Sequence, residues 1–235
     1  MKDSVDLYLD SADVSQWTLP EGCPPVVGVT TNPSLVLQAG LSVTLGTYER
    51  LVDAASGVGM AQLMLQLPTA DLTQARAWVG ALQGRASQSA LQLTIKLPCQ
   101  PEWRACIEAV QAMGLPVLLT GLSNPVQLLW AHAMGARYVA PYIGRLAADT
   151  TQGGRDVWSL MQACVTTQNS TQPRPGPQLL AASIKTPDVL SRLMGLGAAA
   201  ATLPPASLAA WSRDAVTDAA VAQFERDTAS SQTLG

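Results

Sequence analysis

Eight times along this chain a short apolar run gives way to a longer segment with apolar residues at helical spacing, and that alternation decides what the chain can fold into. The runs are Asp6–Asp10 (DLYLD), Val26–Thr31 (VVGVTT), Met60–Leu67 (MAQLMLQL), Leu91–Pro98 (LQLTIKLP), LPVLLTGLS, RYVAPYIGR, LLAASIKTP and AAATLPP. Between and after them lie Ser34–Ser56, Ala70–Gly84, PEWRACIEAVQAMG, NPVQLLWAHAMGA, DVWSLMQACV, PDVLSRLMGLG and a last stretch of about 206–227. Short strands separated by amphipathic helices are parallel βαβ units. Eight of them in 235 residues predict an α/β fold, a (β/α)8 TIM barrel forming a single domain over 1–235 with an additional C-terminal helix. A doubly wound open sheet needs a glycine-rich phosphate loop after the first strand, and LYLDSAD is not one.

The fourth run carries the chemistry. Leu91, Leu93, Ile95 and Leu97 alternate with Gln92, Thr94 and Lys96, the two-residue period of a strand with unlike faces. If the apolar face packs on helices, Lys96 points into whatever the strands enclose. Desolvation there disfavours the ammonium, and a neutral amine attacks carbonyl carbon. A lysine at a strand end usually snorkels to solvent instead. This chain, however, has only Lys2, Lys96 and Lys185 among its 14 basic residues. Where charge alone is needed it uses arginine.

The composition excludes several classes. A net charge of −3, with no basic cluster, argues against nucleic acid or an anionic membrane as partner. No run of about 18 apolar residues occurs, which predicts a soluble, cytoplasmic protein. Cys23, Cys99, Cys106 and Cys164 show no CxxC spacing, and His132 is the sole histidine. Together they predict no metal site, no redox pair and no histidine triad. Only 13% of residues are charged, which suits a chain that buries surface against copies of itself.

In a (β/α)8 barrel, chemistry sits at the C-terminal strand ends. Here those ends offer Asp10, Thr30 to Asn32, Gln62 or Gln66, Lys96, Thr120, Tyr142, Ser183 with Lys185, and Thr202. LYLDSAD, GVTTNPSL, IKLP, YVAPYIGR and AASIKTP, in this order and at these separations, resemble the small transaldolase and fructose-6-phosphate aldolase family from Leu7 to about Glu225.

The resemblance implies a class I enzyme whose fourth-strand lysine, Lys96, forms a Schiff base with a keto sugar, a keto-sugar phosphate or dihydroxyacetone, without cofactor. It implies that Asp10 shuttles a proton near the donor hydroxyls. Thr30 and Asn32 would bind the donor part of the substrate. Gln62, Thr120 and Tyr142 would position a water for proton transfer, with Gln66 the alternative to Gln62 because of extra length before PTAD. Tyrosine at 142 and the absence of a third-strand carboxylate resemble the aldolase branch more than transaldolases, which transfer a dihydroxyacetone unit. Phosphate recognition falls to Arg145, a planar fork, and to Ser183 and Lys185, expected on one strand face. Gly144, where the aldolase branch often has asparagine, and CQPEW after the lysine strand depart from the family pattern. A barrel that only binds a sugar phosphate is the alternative of another class. The last helix implies a homo-oligomer, in this family a decamer.

Overall fold

Eight parallel strands close on themselves in chain order in a computed structural model of the protein, which describes residues 5–149, 156–172 and 174–232. The strands are β1 Asp6–Asp10, β2 Gly28–Thr30, β3 Gln62–Gln66, β4 Gln92–Pro98, β5 Val117–Leu122, β6 Tyr138–Pro141, β7 Gln178–Ala181 and β8 Ala200–Leu203. Among the described residues ten α-helices accompany them: α1 Pro33–Gln38, α2 Leu45–Gly57, α3 Leu72–Ala86, α4 Arg104–Ala112, α5 Pro125–Ala133, α6 Ile143–Ala148, α7 Val157–Gln168, α8 Pro187–Leu196, α9 Pro205–Trp211 and α10 Ala215–Gln232. The expected (β/α)8 barrel with an added C-terminal helix is what the chain forms. Among the described residues no helix is long and apolar enough to cross a membrane.

Local signals explain where several helices start. After β2, β5 and β7 the chain places a capping residue directly before a proline. Asn32, Asn124 and Thr186 are extended and accept from the backbone N–H of Leu35, Gln127 and Val189, while Pro33, Pro125 and Pro187 open the first turn. Proline lacks the N–H that a first turn leaves unpaired, and its fixed φ already suits a helix. The residue before proline is kept extended, so each of these three helices is begun by the same kind of dipeptide.

Strand alternation separates two cores. Outward residues such as Leu9, Val29, Leu63, Leu65, Ile95, Leu97, Leu119 and Val139 pack with the helices. Inside the barrel Tyr8, Met64, Leu118, Tyr138, Ala140, Leu180 and Ala200 form a second cluster, so the lower lumen is filled rather than hollow.

The boundaries differ from the sequence reading in four places. The stretch 34–56 is two helices, because the chain leaves α1 at Ala39 and Thr44 caps α2 by accepting from Thr47 N–H. The sixth strand stops at Pro141, and Ile143–Ala148 is helix. The seventh stops at Ala181, with only a bridge from Ala182 to Tyr142 beyond it. The stretch 206–227 is α9 and α10, and none of the described side chains of α10 is buried. Residues 1–4, 150–155, 173 and 233–235 lie outside the described residues.

β2 and β3 approach so closely at Gly28 that a Cβ there would sit 2.0 Å from the Gln62 carbonyl oxygen. That contact cannot be relieved by a rotamer, because the obstacle is backbone. Gly28→Ala is therefore expected to cost more than ~3 kcal/mol of stability, read as a lowered urea midpoint; a midpoint within experimental error of the wild type would refute it.

Candidate active site

The apolar plug has a polar roof. Above Leu180 and Ala140 the lumen opens into a cavity of about 570 Å³, lined from the strand ends by Asp10, Lys96, Thr120, Tyr142 and Thr202 and from the flanking loops and helices by Asn32, Arg145, Ser183 and Lys185. Strand twist and inward alternation bring together residues far apart in sequence.

Lys96 projects from the middle of β4, whose neighbour in register on β3 is Gln66 and on β5 is Leu118. Its side chain is only 5% exposed. Burial holds the Lys96 ammonium below the ordinary lysine range, and the Asp10 carboxylate across the lumen partly offsets this. The net direction favours the free amine, the nucleophilic form.

Asp10 is held from beneath. Thr30 Oγ1 donates to Asp10 Oδ1 at 2.8 Å and lies 2.7 Å from Thr202 Oγ1. With its one proton given to the carboxylate, Thr30 accepts from Thr202. Thr30 is fully buried and does not line the cavity. This corrects the expectation that it binds substrate: its hydroxyl is spent on orienting Asp10. Asn32 does face the cavity, with Oδ1 accepting from Leu35 N–H at 3.1 Å. Its amide N–H groups remain as donors.

On the opposite wall Thr120 Oγ1 donates to the Tyr142 hydroxyl at 2.6 Å, across an irregularity in the β5–β6 register. Accepting this bond leaves the phenol's own proton free to be given elsewhere. Burial pushes the Tyr142 pKa up, while the Thr120 bond and the Arg145 guanidinium, 4.9 Å from the ring centroid, oppose the rise. Tyr142 therefore keeps its proton at neutral pH.

Gln62 is at the wrong end of the barrel. It opens β3 in register with Gln92, accepts from the Tyr8 hydroxyl at 2.8 Å and donates to Gln92 Oε1. Four residues of strand, ~13 Å, separate it from the level of Lys96. The glutamine beside the lysine is Gln66, whose Oε1 is buried without a hydrogen-bond partner in the protein. Both share one face, so periodicity alone could not choose between them; distance from the strand's end could.

The anion-binding candidates also depart from strand geometry. Arg145 is exposed on α6, not on β6. Ser183 and Lys185 follow the end of β7, and Ser183 sits at φ 60°. They share a cavity wall, as expected, but through a turn rather than through strand alternation. The sequence reading missed the opposite wall, where Ser11, Asp13, Gln16, Ser34 and Gln38 line the mouth; their place just after the first two strands was the available signal.

Among the described residues the histidine and the cysteines form no comparable cluster. His132 lies against the Arg174 carbonyl at 3.3 Å on an exposed helix face. Burial pushes the Cys99 and Cys164 thiols up to about 12, which leaves them unreactive. Among the described residues no group of three or more His, Cys, Asp or Glu is placed to hold a metal ion.

Solved structures share the architecture at low identity. The flavin-binding domain of baker's yeast flavocytochrome b2 matches with a TM-score of 0.57 at 13% identity, over 88% of this chain and 58% of that one. A mandelate oxidase variant matches at 0.52 and 18%, over 78% and 58%. A designed cube-shaped porous protein cage matches at 0.53 and 15%, over 100% and 80%. The chain thus spans under two thirds of the length of both flavoproteins, and these likenesses concern the fold alone. The family model for transaldolase/fructose-6-phosphate aldolase matches residues 7–235. That match includes every strand but the first residue of β1, and with it the lysine-bearing lumen; the chain belongs to the transaldolase/fructose-6-phosphate aldolase family.

Proposed function

We propose that this protein is a Schiff-base aldolase that cleaves or forms a keto-sugar phosphate such as fructose 6-phosphate, with dihydroxyacetone as the three-carbon donor. The observation that carries the proposal is a desolvated lysine, Lys96, facing the same cavity as a carboxylate and a proton-bearing phenol. Lys96 Nζ attacks the ketone carbon and water leaves, giving an iminium. When the C3–C4 bond breaks, its electron pair moves into the iminium as an enamine. Asp10 takes the proton of the cleaved alcohol and the aldehyde departs. Tyr142, oriented by Thr120, returns a proton through a water to the enamine carbon, with Gln66 in the role first given to Gln62. Hydrolysis then frees dihydroxyacetone and Lys96. Arg145, Ser183 and Lys185 hold the phosphate.

We also propose that the protein is a homo-oligomer. α10 has no described buried side chain, yet carries Val216, Val221 and Phe224 at 79, 47 and 66% exposure. Helices in proteins draw most of their stability from packing an apolar face, and a second copy supplies the missing apolar surface for this one. Light scattering at micromolar concentration is expected to give a multiple of the 24.6 kDa chain mass; a monomer mass overturns this.

Borohydride trapping with dihydroxyacetone is expected to place a reduced adduct on Lys96, and Lys96→Met to abolish both adduct and turnover. Turnover by Lys96→Met overturns the mechanism. Trapping rate should rise with pH through an inflection below the ordinary lysine value of 10.5, because burial favours the reactive free amine; an inflection at 10.5 contradicts that cause. Tyr142→Phe removes the transferable proton and should lower kcat by ~10²-fold or more while the Lys96 adduct still forms. Product analysis with and without erythrose 4-phosphate separates release of dihydroxyacetone from its transfer.

A further inference from the structure

The anion-binding end of the cavity is assembled around a missing side chain. α6 begins immediately after Tyr142, and its first two backbone donors reach the turn after β7: Ile143 N–H to the Ala182 carbonyl at 3.1 Å and Gly144 N–H to the Ser183 carbonyl at 3.0 Å. A Cβ at position 144 would stand 2.6 Å from that Ser183 carbonyl oxygen, 2.9 Å from Ser183 Oγ and 3.1 Å from Lys185 Cε. Two of these lie inside the repulsive wall of a carbon–oxygen contact, and one of the two is backbone, which no rotamer change moves aside. The start of α6 can rest on this turn only because residue 144 is glycine.

The turn itself is unusual. Ser183 adopts φ 60°, the left-handed region that a residue with a Cβ occupies at a cost and keeps only when its surroundings hold it. The two hydrogen bonds from α6 are such a hold. Lys185 is exposed, and exposed lysines sample many rotamers. Its Cε approaches the place where a side chain at 144 would be, so the stem lies across Gly144.

We infer that Gly144 is a positioning residue for Ser183 and Lys185, and through them sets the preference for phosphorylated over unphosphorylated carbonyl substrates. The inference rests on the assignment of Arg145, Ser183 and Lys185 to phosphate. It does not require Gly144 to touch substrate. It also explains why asparagine, found at this position in the aldolase branch, does not fit here: the Ser183 turn occupies the space that its Cβ needs.

The test compares Gly144→Ala with wild type, using dihydroxyacetone as donor and either glyceraldehyde 3-phosphate or glyceraldehyde as acceptor, with borohydride trapping of dihydroxyacetone on Lys96 as a second readout. Moving a charged donor off its partner costs about tenfold or more in binding. The expected result is therefore a KM for the phosphorylated acceptor raised about tenfold or more, with kcat, the KM for glyceraldehyde and the trapped adduct little changed. Equal losses on both acceptors overturn the inference, as does loss of the adduct, since the glycine would then be serving the barrel or the lysine site. Lys185→Met, run in parallel, separates the two layers. If it erases the preference for phosphate while Gly144→Ala leaves that preference intact, the inference fails and the phosphate assignment stands. If Lys185→Met leaves the preference intact, the assignment fails and takes the inference with it.

Discussion

An amine inside a protein is costly while it is charged and useful when it is not, and the arrangement of this barrel follows from placing one there. Lys96 rises from a strand whose outward residues are committed to the helix layer, so its side chain has only the lumen to enter. Below it Met64, Leu118 and Leu180 fill the barrel and provide no counter-charge. The Asp10 carboxylate is the group that opposes the desolvation. It is also occupied with a hydrogen bond from Thr30. A full ion pair at contact distance would return Lys96 to its charged form and remove the free amine that the proposed mechanism needs. Keeping the carboxylate near but engaged leaves the amine both desolvated and served by a proton acceptor.

The opposite wall solves the complementary problem with the same materials. A phenol whose oxygen already accepts from Thr120 has its proton directed away from that partner. Burial prevents its loss to solvent. The groups proposed as nucleophile and acid thus sit in different environments, Lys96 desolvated across from a carboxylate and Tyr142 desolvated beside a hydroxyl and a guanidinium. Under the proposed mechanism, this division of proton-donating and proton-accepting roles lets one cavity serve both halves of an addition–elimination sequence at a single pH.

How much of this was legible in the sequence depends on which physical signal encoded it. Period-two alternation placed Lys96 on an inward strand face, and the strand ends placed Asp10 and Thr120 at the barrel mouth, because every strand is bounded on its outer side by helices. Alternation could not separate Gln62 from Gln66, which have the same phase and differ only in height. Height depends on where hydrogen-bonded pairing begins, here with Gln62 opposite Gln92, and that is a property of two strands, not of one. Arg145, Ser183 and Lys185 were placed on strands that in fact end earlier. The end of β7 is fixed by a left-handed serine and two bonds from α6, none of which leaves a mark in local composition. Thr30 was misjudged for another reason: a hydroxyl at a strand end looks like a ligand contact until its partners, Asp10 and Thr202, are seen to use its hydrogen-bonding capacity.

These failures and successes fall on either side of one structural boundary. Groups proposed to make and break bonds, Lys96, Asp10 and Thr120, stand on strands whose backbone is locked by parallel pairing to neighbours on both sides. Groups proposed to grip the distal end of the substrate, Arg145, Ser183 and Lys185, stand on a six-residue helix and a turn. Reaction geometry tolerates little displacement, whereas an ionic grip on a phosphate tolerates more. The barrel therefore places its rigid elements where alignment matters and its short, glycine-dependent connections where the substrate's far end is chosen. Under the proposed assignment, a change in which sugar is accepted is made at Gly144 or its neighbours without disturbing the lumen that holds the lysine.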